Sequence, residues 1–232
     1  TILPENISAE QRRKFGSWVG RKTVDWMGAF QAQQGAKELI YAIMNRRLEQ
    51  ITYNPGVPIG IWRSVGNSYN GFIVESFMDE LAAVANQDPL QFRRNKLAEN
   101  PECLAVLKRV EDESNWGNPQ PGRKQGIAIF KSFGTIVAQV AEVSVENAKT
   151  IRVHRVCCAV DCGTVVNPDI VRAQMESGII FGLTAALYGE INLKAGRVVQ
   201  SNFHDYPMVR MADAPDIDVH IVASDREPSG VG

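Results

Sequence analysis

Apolar residues recur at helical spacing from about residue 70 to 85, where Phe72, Ile73, Phe77, Leu81 and Val84 follow a 3.6-residue period. Asp88-Pro89 reads as an N-cap and first helical position, so a second helix is expected over 88–99, and a third over 101–115. The pattern then changes to strands at 126–130, 135–145 and 150–156, the second alternating over much of its length. Glu146-Asn147-Ala148-Lys149 suits a hairpin loop, with Asn147 tolerant of the left-handed conformation. An apolar run from Val156 to Val160 ends in Asp161-Cys162-Gly163, where Gly163 permits a positive φ or a close backbone approach. Asn167-Pro168 then opens a helix over 169–188. A hairpin over 190–200 turning at Lys194 to Gly196, and a last strand over 217–222, complete this half.

The first 60 residues carry weaker patterns. Residues 1–35 read as helical, with Ser8-Ala9-Glu10-Gln11 as a capping-box start and an irregular apolar face that includes Trp18 and Trp26. Partial alternation at 38–43 and 47–53 predicts short strands. The fold class is therefore α+β, with helices packed on mixed or antiparallel sheets. No Gly-rich phosphate loop follows a strand, which disfavours a βαβ nucleotide-binding domain. The loop from Trp116 to Gly122 is the best internal boundary, so the chain divides into 1–35, 36–118 and 123–232.

Composition narrows the partners. In 232 residues, 44% are hydrophobic, enough for a substantial core. The 25 basic and 26 acidic residues leave a net charge of -1, so nothing suggests a nucleic-acid partner. No apolar run approaches 18 residues, so no transmembrane segment is expected. The first five residues lack the basic and apolar regions of a signal peptide.

Candidate chemistry is sparse. Cys157, Cys158 and Cys162 stand as C-C-x3-C without a second pair, and adjacent cysteines on a strand face opposite ways, so they read as small buried hydrophobes. Cys103 is the fourth cysteine, and no disulfide framework is expected. Arg63 lies in the loop before the first periodic helix, where it either meets an anionic or carbonyl ligand or is solvated or paired with an acid. Gly178 and Gly182 give the later helix a smooth face, suited equally to packing on a sheet or to close approach by a cofactor. His204 and Asp205 are adjacent and so face each other poorly as an acid–base pair. Trp62, Phe133 and Tyr206 fit either an aromatic pocket or the core.

Several stretches in order resemble one family. Asp161-Cys162-Gly163, Asn167-Pro168, Gln174, Gly178, Gly182, Ala186-Leu187 and Glu190 are similar to the molybdopterin-binding large subunit of the xanthine dehydrogenase and aldehyde oxidase family. Trp62-Arg63-Ser64-Val65-Gly66, Glu75-Ser76-Phe77-Met78-Asp79-Glu80-Leu81-Ala82, and Asp88-Pro89 with Arg93 resemble its arginine loop and following helices. The likeness covers about residues 36–232 and leaves 1–30 unmatched.

The resemblance implies a fold of the molybdenum-hydroxylase cofactor-binding type. It implies a parent oxidoreductase that inserts water-derived oxygen at a carbon of an N-heterocycle or aldehyde. The implied cofactor is molybdopterin, in its cytosine dinucleotide form, with molybdenum held by the pterin dithiolene and not by Cys162. Gln174 would hydrogen-bond the pterin, with Gly163, Gly178 and Gly182 letting backbone approach it. Arg63 would orient substrate and steady negative charge, a task suited to a planar, permanently charged fork. The implied partners are an iron–sulfur small subunit and the remainder of the large subunit. The compartment is left between bacterial cytoplasm and periplasm.

The family's general-base glutamate follows Gly-Val-Gly, and this sequence stops at Gly232. A C-terminal fragment, inactive alone, is therefore expected. The rival expectation is a non-catalytic assembly or interaction domain derived from the same family.

Overall fold

The computed structural model describes residues 32–51, 53, 56, 60–147 and 149–231. The helix expected over 1–35, including its capping-box start, lies almost wholly outside these residues.

Three helices come first: α1 (Gly66–Val84), α2 (Pro89–Lys96) and α3 (Pro101–Ser114). Strands β1 (Lys124–Ser132), β2 (Thr135–Glu146) and β3 (Thr150–Asp161) follow, then α4 (Pro168–Tyr188), a short β4 (Leu193–Lys194) and β5 (Arg197–Val198), and β6 (Asp216–Ile221). The main sheet runs in the order β1-β2-β3-β6. Its first two pairings are antiparallel, and β3 pairs with β6 in parallel. The sheet is thus mixed, and α+β holds.

Local chemistry explains the helix starts. Proline occupies the first position of α2, α3 and α4, where its missing N–H costs nothing. The residue before each proline is the cap. Asp88 accepts from Gln91 N–H, Asn100 from Cys103 N–H, and Asn167 from Asp169 and Ile170 N–H. Asn147 and Ala195-Gly196 take the positive φ that their hairpin turns require.

Alternation along β3 divides the interior into two layers. Cys157 and Ala159 face α1–α3 and join Ile127, Ile129, Val106, Leu107 and Val110. Cys158 faces the other way and packs with Val153, Val156 and Ile179 of α4. The first core draws on residues from both 36–118 and 123–232. All four cysteines are free and buried. Burial pushes the Cys103 and Cys157 thiols up to about 11 and Cys158 to about 12, which leaves them inert.

One expectation fails. No strand forms at 38–43 or among the described residues of 47–53. Tyr41 instead buries itself in the first core with Leu39, Ile40 and Ile43 packed beside it, so the apolar residues are spent on side-chain packing rather than on a ladder. By length and composition alone, the 21-residue α4 would pass as a membrane span. Its polar residues are concentrated in the first turns, which is why no apolar run stands out in the sequence. Here it lies along the sheet, through Val171, Met175, Ile179, Leu183 and Leu187.

Candidate functional site

The turn after β3 is closed by its own side chain. Asp161 Oδ1 accepts from Gly163 N–H at 3.0 Å, and Gly163 has φ +76°. A Cβ built there would stand 2.1 Å from the Glu227 carbonyl oxygen, so glycine is obligatory. The close approach expected at Gly163 is thus made by the chain's own backbone. Thr164 donates from N–H and Oγ1 to the Arg226 carbonyl at 2.9 and 3.0 Å. Ser229 N–H donates to Cys162 O at 2.9 Å, and Gly230 N–H to Phe133 O at 3.1 Å. Arg226 Nη2 lies 2.9 Å from the buried Asp161 carboxylate, which holds the Arg226 guanidinium above its ordinary range. The segment after β6 is therefore bound to the Asp-Cys-Gly turn and, at Gly230, to the turn between β1 and β2.

This turn leads to Asn167, the cap of α4. Gln174, Gly178 and Phe181 fall at i, i+4 and i+7, on one stripe beside the face that packs on the sheet. Gln174 is half-buried, and its side-chain amide makes no hydrogen bond among the described residues. A Cβ on Gly178 or Gly182 would meet nothing within 4 Å. This stripe is open, with a free amide that both donates and accepts.

The loop before α1 meets the same stripe. Trp62 and Phe181 stack at 5.4 Å between centroids with planes tilted by 39°. The Arg63 guanidinium carbon stands 5.2 Å over the Phe181 ring. The loop that places them is strained: Ser64 has φ 64°, and Val65 has φ 49° with ψ -129°. A β-branched residue there costs of order 1–3 kcal/mol, so neighbouring contacts must hold it. Val65 N–H donates to Trp62 O at 3.0 Å and Asn67 N–H to Ser64 O at 3.1 Å.

Behind the loop, α1 is anchored by a buried ion network. Arg93 is fully buried and donates from Nε to Glu75 Oε2 at 2.9 Å and from Nη1 to Asp79 Oδ1 at 2.6 Å. Glu75 also accepts from Tyr41 Oη at 2.6 Å and Ile129 N–H at 2.8 Å. Burial pushes the Glu75 carboxyl up against the opposing pull of Arg93. For Arg93 burial opposes the charge, but Glu75, Tyr41 and Asp79 outweigh it and hold the guanidinium up.

The structure thus places Gln174, Gly178 and Gly182 on α4 and sets Arg63 against Phe181 of the same helix. Gly163 sits at the turn leading into that helix. A molybdopterin fits the residues present in one respect: the Gln174 amide is unused and the adjacent glycines leave room. His204 and Asp205 are exposed and 3.6 Å apart, with Asp205 spent on closing its own turn through Ser201 and Asn202. Sequence reasoning missed Phe181 and Arg226. Phe181 is the one aromatic residue amid Gly178, Gly182 and Ala185, a visible signal, but its partner lies too far along the chain to be read.

The family described as molybdopterin cofactor-binding domain matches residues 75–215. The beta chain of isoquinoline 1-oxidoreductase from Brevundimonas diminuta is 34% identical over 99% of this chain and 28% of its own length. A membrane-bound aldehyde dehydrogenase, named with pyrroloquinoline-quinone, from Gluconacetobacter polyoxogenes is 30% identical over 80% of this chain and 26% of its own. A nicotinate dehydrogenase component from Pseudomonas putida is 27% identical over 77% of this chain and 17% of its own. The chain therefore spans between about a sixth and somewhat over a quarter of these relatives. With the family match covering more than half of it, the chain belongs to the molybdopterin cofactor-binding domain family.

Proposed function

We propose that this chain supplies part of the cofactor- and substrate-lining wall of a molybdenum hydroxylase, one that oxidises a carbon of an N-heteroaromatic compound or an aldehyde. The observation that carries this reading is the meeting of Arg63 with the Gln174–Gly178 stripe of α4 through Phe181. Gln174 holds the pterin through its free amide, and Gly178 and Gly182 let the cofactor lie against the helix. When bound, molybdopterin with molybdenum, in the cytosine dinucleotide form, supplies the two-electron oxidation. Arg63 orients the substrate and stabilises negative charge that develops on it. Gly163 serves the site indirectly, by admitting the Arg226–Glu227 backbone beside the turn that starts α4. An iron–sulfur small subunit accepts the electrons, and the rest of the large subunit completes the site. The names of the isoquinoline and nicotinate relatives support an N-heteroaromatic substrate.

The test is to isolate the enzyme containing this chain, together with its iron–sulfur subunit, from cells that make the cofactor. Molybdenum is measured by mass spectrometry and the nucleotide released by acid is identified. Molybdenum and cytosine nucleotide are expected in the wild type, and Arg63→Ala should lower kcat/KM by about 100–1,000-fold without loss of metal. A preparation with neither molybdenum nor pterin would overturn the reading in favour of an assembly domain.

A further inference from the structure

We infer that Phe181 is the positioning residue for Arg63, its ring holding the guanidinium against α4 so that the arginine loop and the Gln174 helix keep one geometry. Arg63 is taken here in the role proposed above.

Four observations lead to this. The guanidinium carbon stands 5.2 Å over the ring, within reach for a cation to be drawn to the aromatic face. Trp62 stacks on the same ring, so two consecutive loop residues converge on one side chain of a distant helix. Arg63 makes no ion pair among the described residues, so no carboxylate fixes its head. Ser64 and Val65 both have positive φ, a conformation that an exposed loop sheds unless something holds it. The hydrogen bonds of the turn fix the backbone, and Phe181 fixes the side chains beyond it.

Phe181 is itself 38% exposed and belongs to neither of the clusters that pack α4 on the sheet. It stands between Gly178 and Gly182, two helical turns on from Gln174. A shift of the ring therefore changes where the positive charge sits relative to the stripe. Displacement of a charged group by about 1 Å can cost on the order of 100-fold in rate.

The test compares Phe181→Leu with Phe181→Tyr. Leucine keeps an apolar cover and removes the π face, whereas tyrosine keeps the ring. The folded proteins are treated with phenylglyoxal, and Arg63 modification is followed by peptide mass mapping, with the exposed Arg152 as internal reference. Leucine should speed Arg63 modification about 3- to 10-fold relative to Arg152, and tyrosine should leave it at the wild-type rate. Equal rates in all three proteins, or tyrosine as fast as leucine, would overturn the assignment. Melting temperatures within a few degrees of wild type establish that leucine has not unfolded the site. If it has, the Phe181→Tyr and Phe181→Trp proteins decide instead: both must protect Arg63 as the wild type does. In the cofactor-loaded enzyme, Phe181→Leu should lower kcat/KM and add no further loss to Arg63→Ala. Faster modification with unchanged turnover would leave the Phe181–Arg63 contact standing and remove the role proposed for Arg63.

Discussion

Gly163 and Glu227 are in such close contact that a single added methyl group would have to occupy the space of the Glu227 carbonyl, 2.1 Å away. The Gly163→Ala protein should lose more than about 2 kcal/mol of stability, from the positive φ and the clash together. Gly178→Ala provides the contrast, because its added Cβ meets nothing within 4 Å. That change should leave stability unaltered or raise it by about 0.5–1 kcal/mol, yet lower pterin content. Denaturant titration and pterin assay on both variants test the pair. A Gly178→Ala protein that loads cofactor normally would remove that glycine from the proposed site.

Arg93 ties its own helix to α1, through the Pro89 carbonyl on one side and Glu75 and Asp79 on the other. Replacing it with methionine leaves the buried Glu75 carboxylate without its cation. The expected loss is about 3–5 kcal/mol, measured by urea denaturation. Adding Glu75→Gln to Arg93→Met should recover part of that loss, since the stranded charge is then gone. A double variant no more stable than the single one would mean that packing of the arginine stem dominates.

Asp205 responds to acid. Its carboxylate accepts from the Asn202 and Ser201 N–H groups, and these bonds hold it down at about 2. A carboxylate depressed in the folded state stabilises its turn above the ordinary value near ~4 and loses that contribution as pH falls through the folded value. The turn over 201–205 should therefore stay closed at pH 4 and open near pH 2. Amide shifts of Ser201 and Asn202 followed by NMR would report it. A midpoint near 4 would show that these hydrogen bonds do not persist in solution.

Much of this could be read in the sequence, for identifiable reasons. Helices α2, α3 and α4 announce themselves because Asp88, Asn100 and Asn167 each precede a proline, and that local chemistry needs no tertiary context. The three antiparallel strands follow from alternation and short turns. The segment around Tyr41 misled because a short apolar run looks alike whether it joins a ladder or packs by side chains alone. For the candidate site, Arg63, Gln174 and Gly178 are expected through family resemblance alone, whereas the convergence of Trp62 and Arg63 on Phe181 has no signal in the sequence. That convergence depends on how α1 and α4 sit across the chain. The purpose of Gly163 was hidden for the same reason, since the Glu227 backbone that requires it arrives only after β6.

The contact between the Glu75 carboxylate and the Ile129 N–H has a consequence beyond stability. Ile129 belongs to β1, the outermost strand on that side of the sheet, and an amide left free there would invite a strand from another molecule. Glu75 occupies that donor from inside a helix, with Arg93 fixed behind it. A strand adding to β1 at this point would first have to take the Ile129 N–H from a buried, ion-paired carboxylate. At Ile129, therefore, the residues that hold α1 in place also deny one edge donor to a second strand.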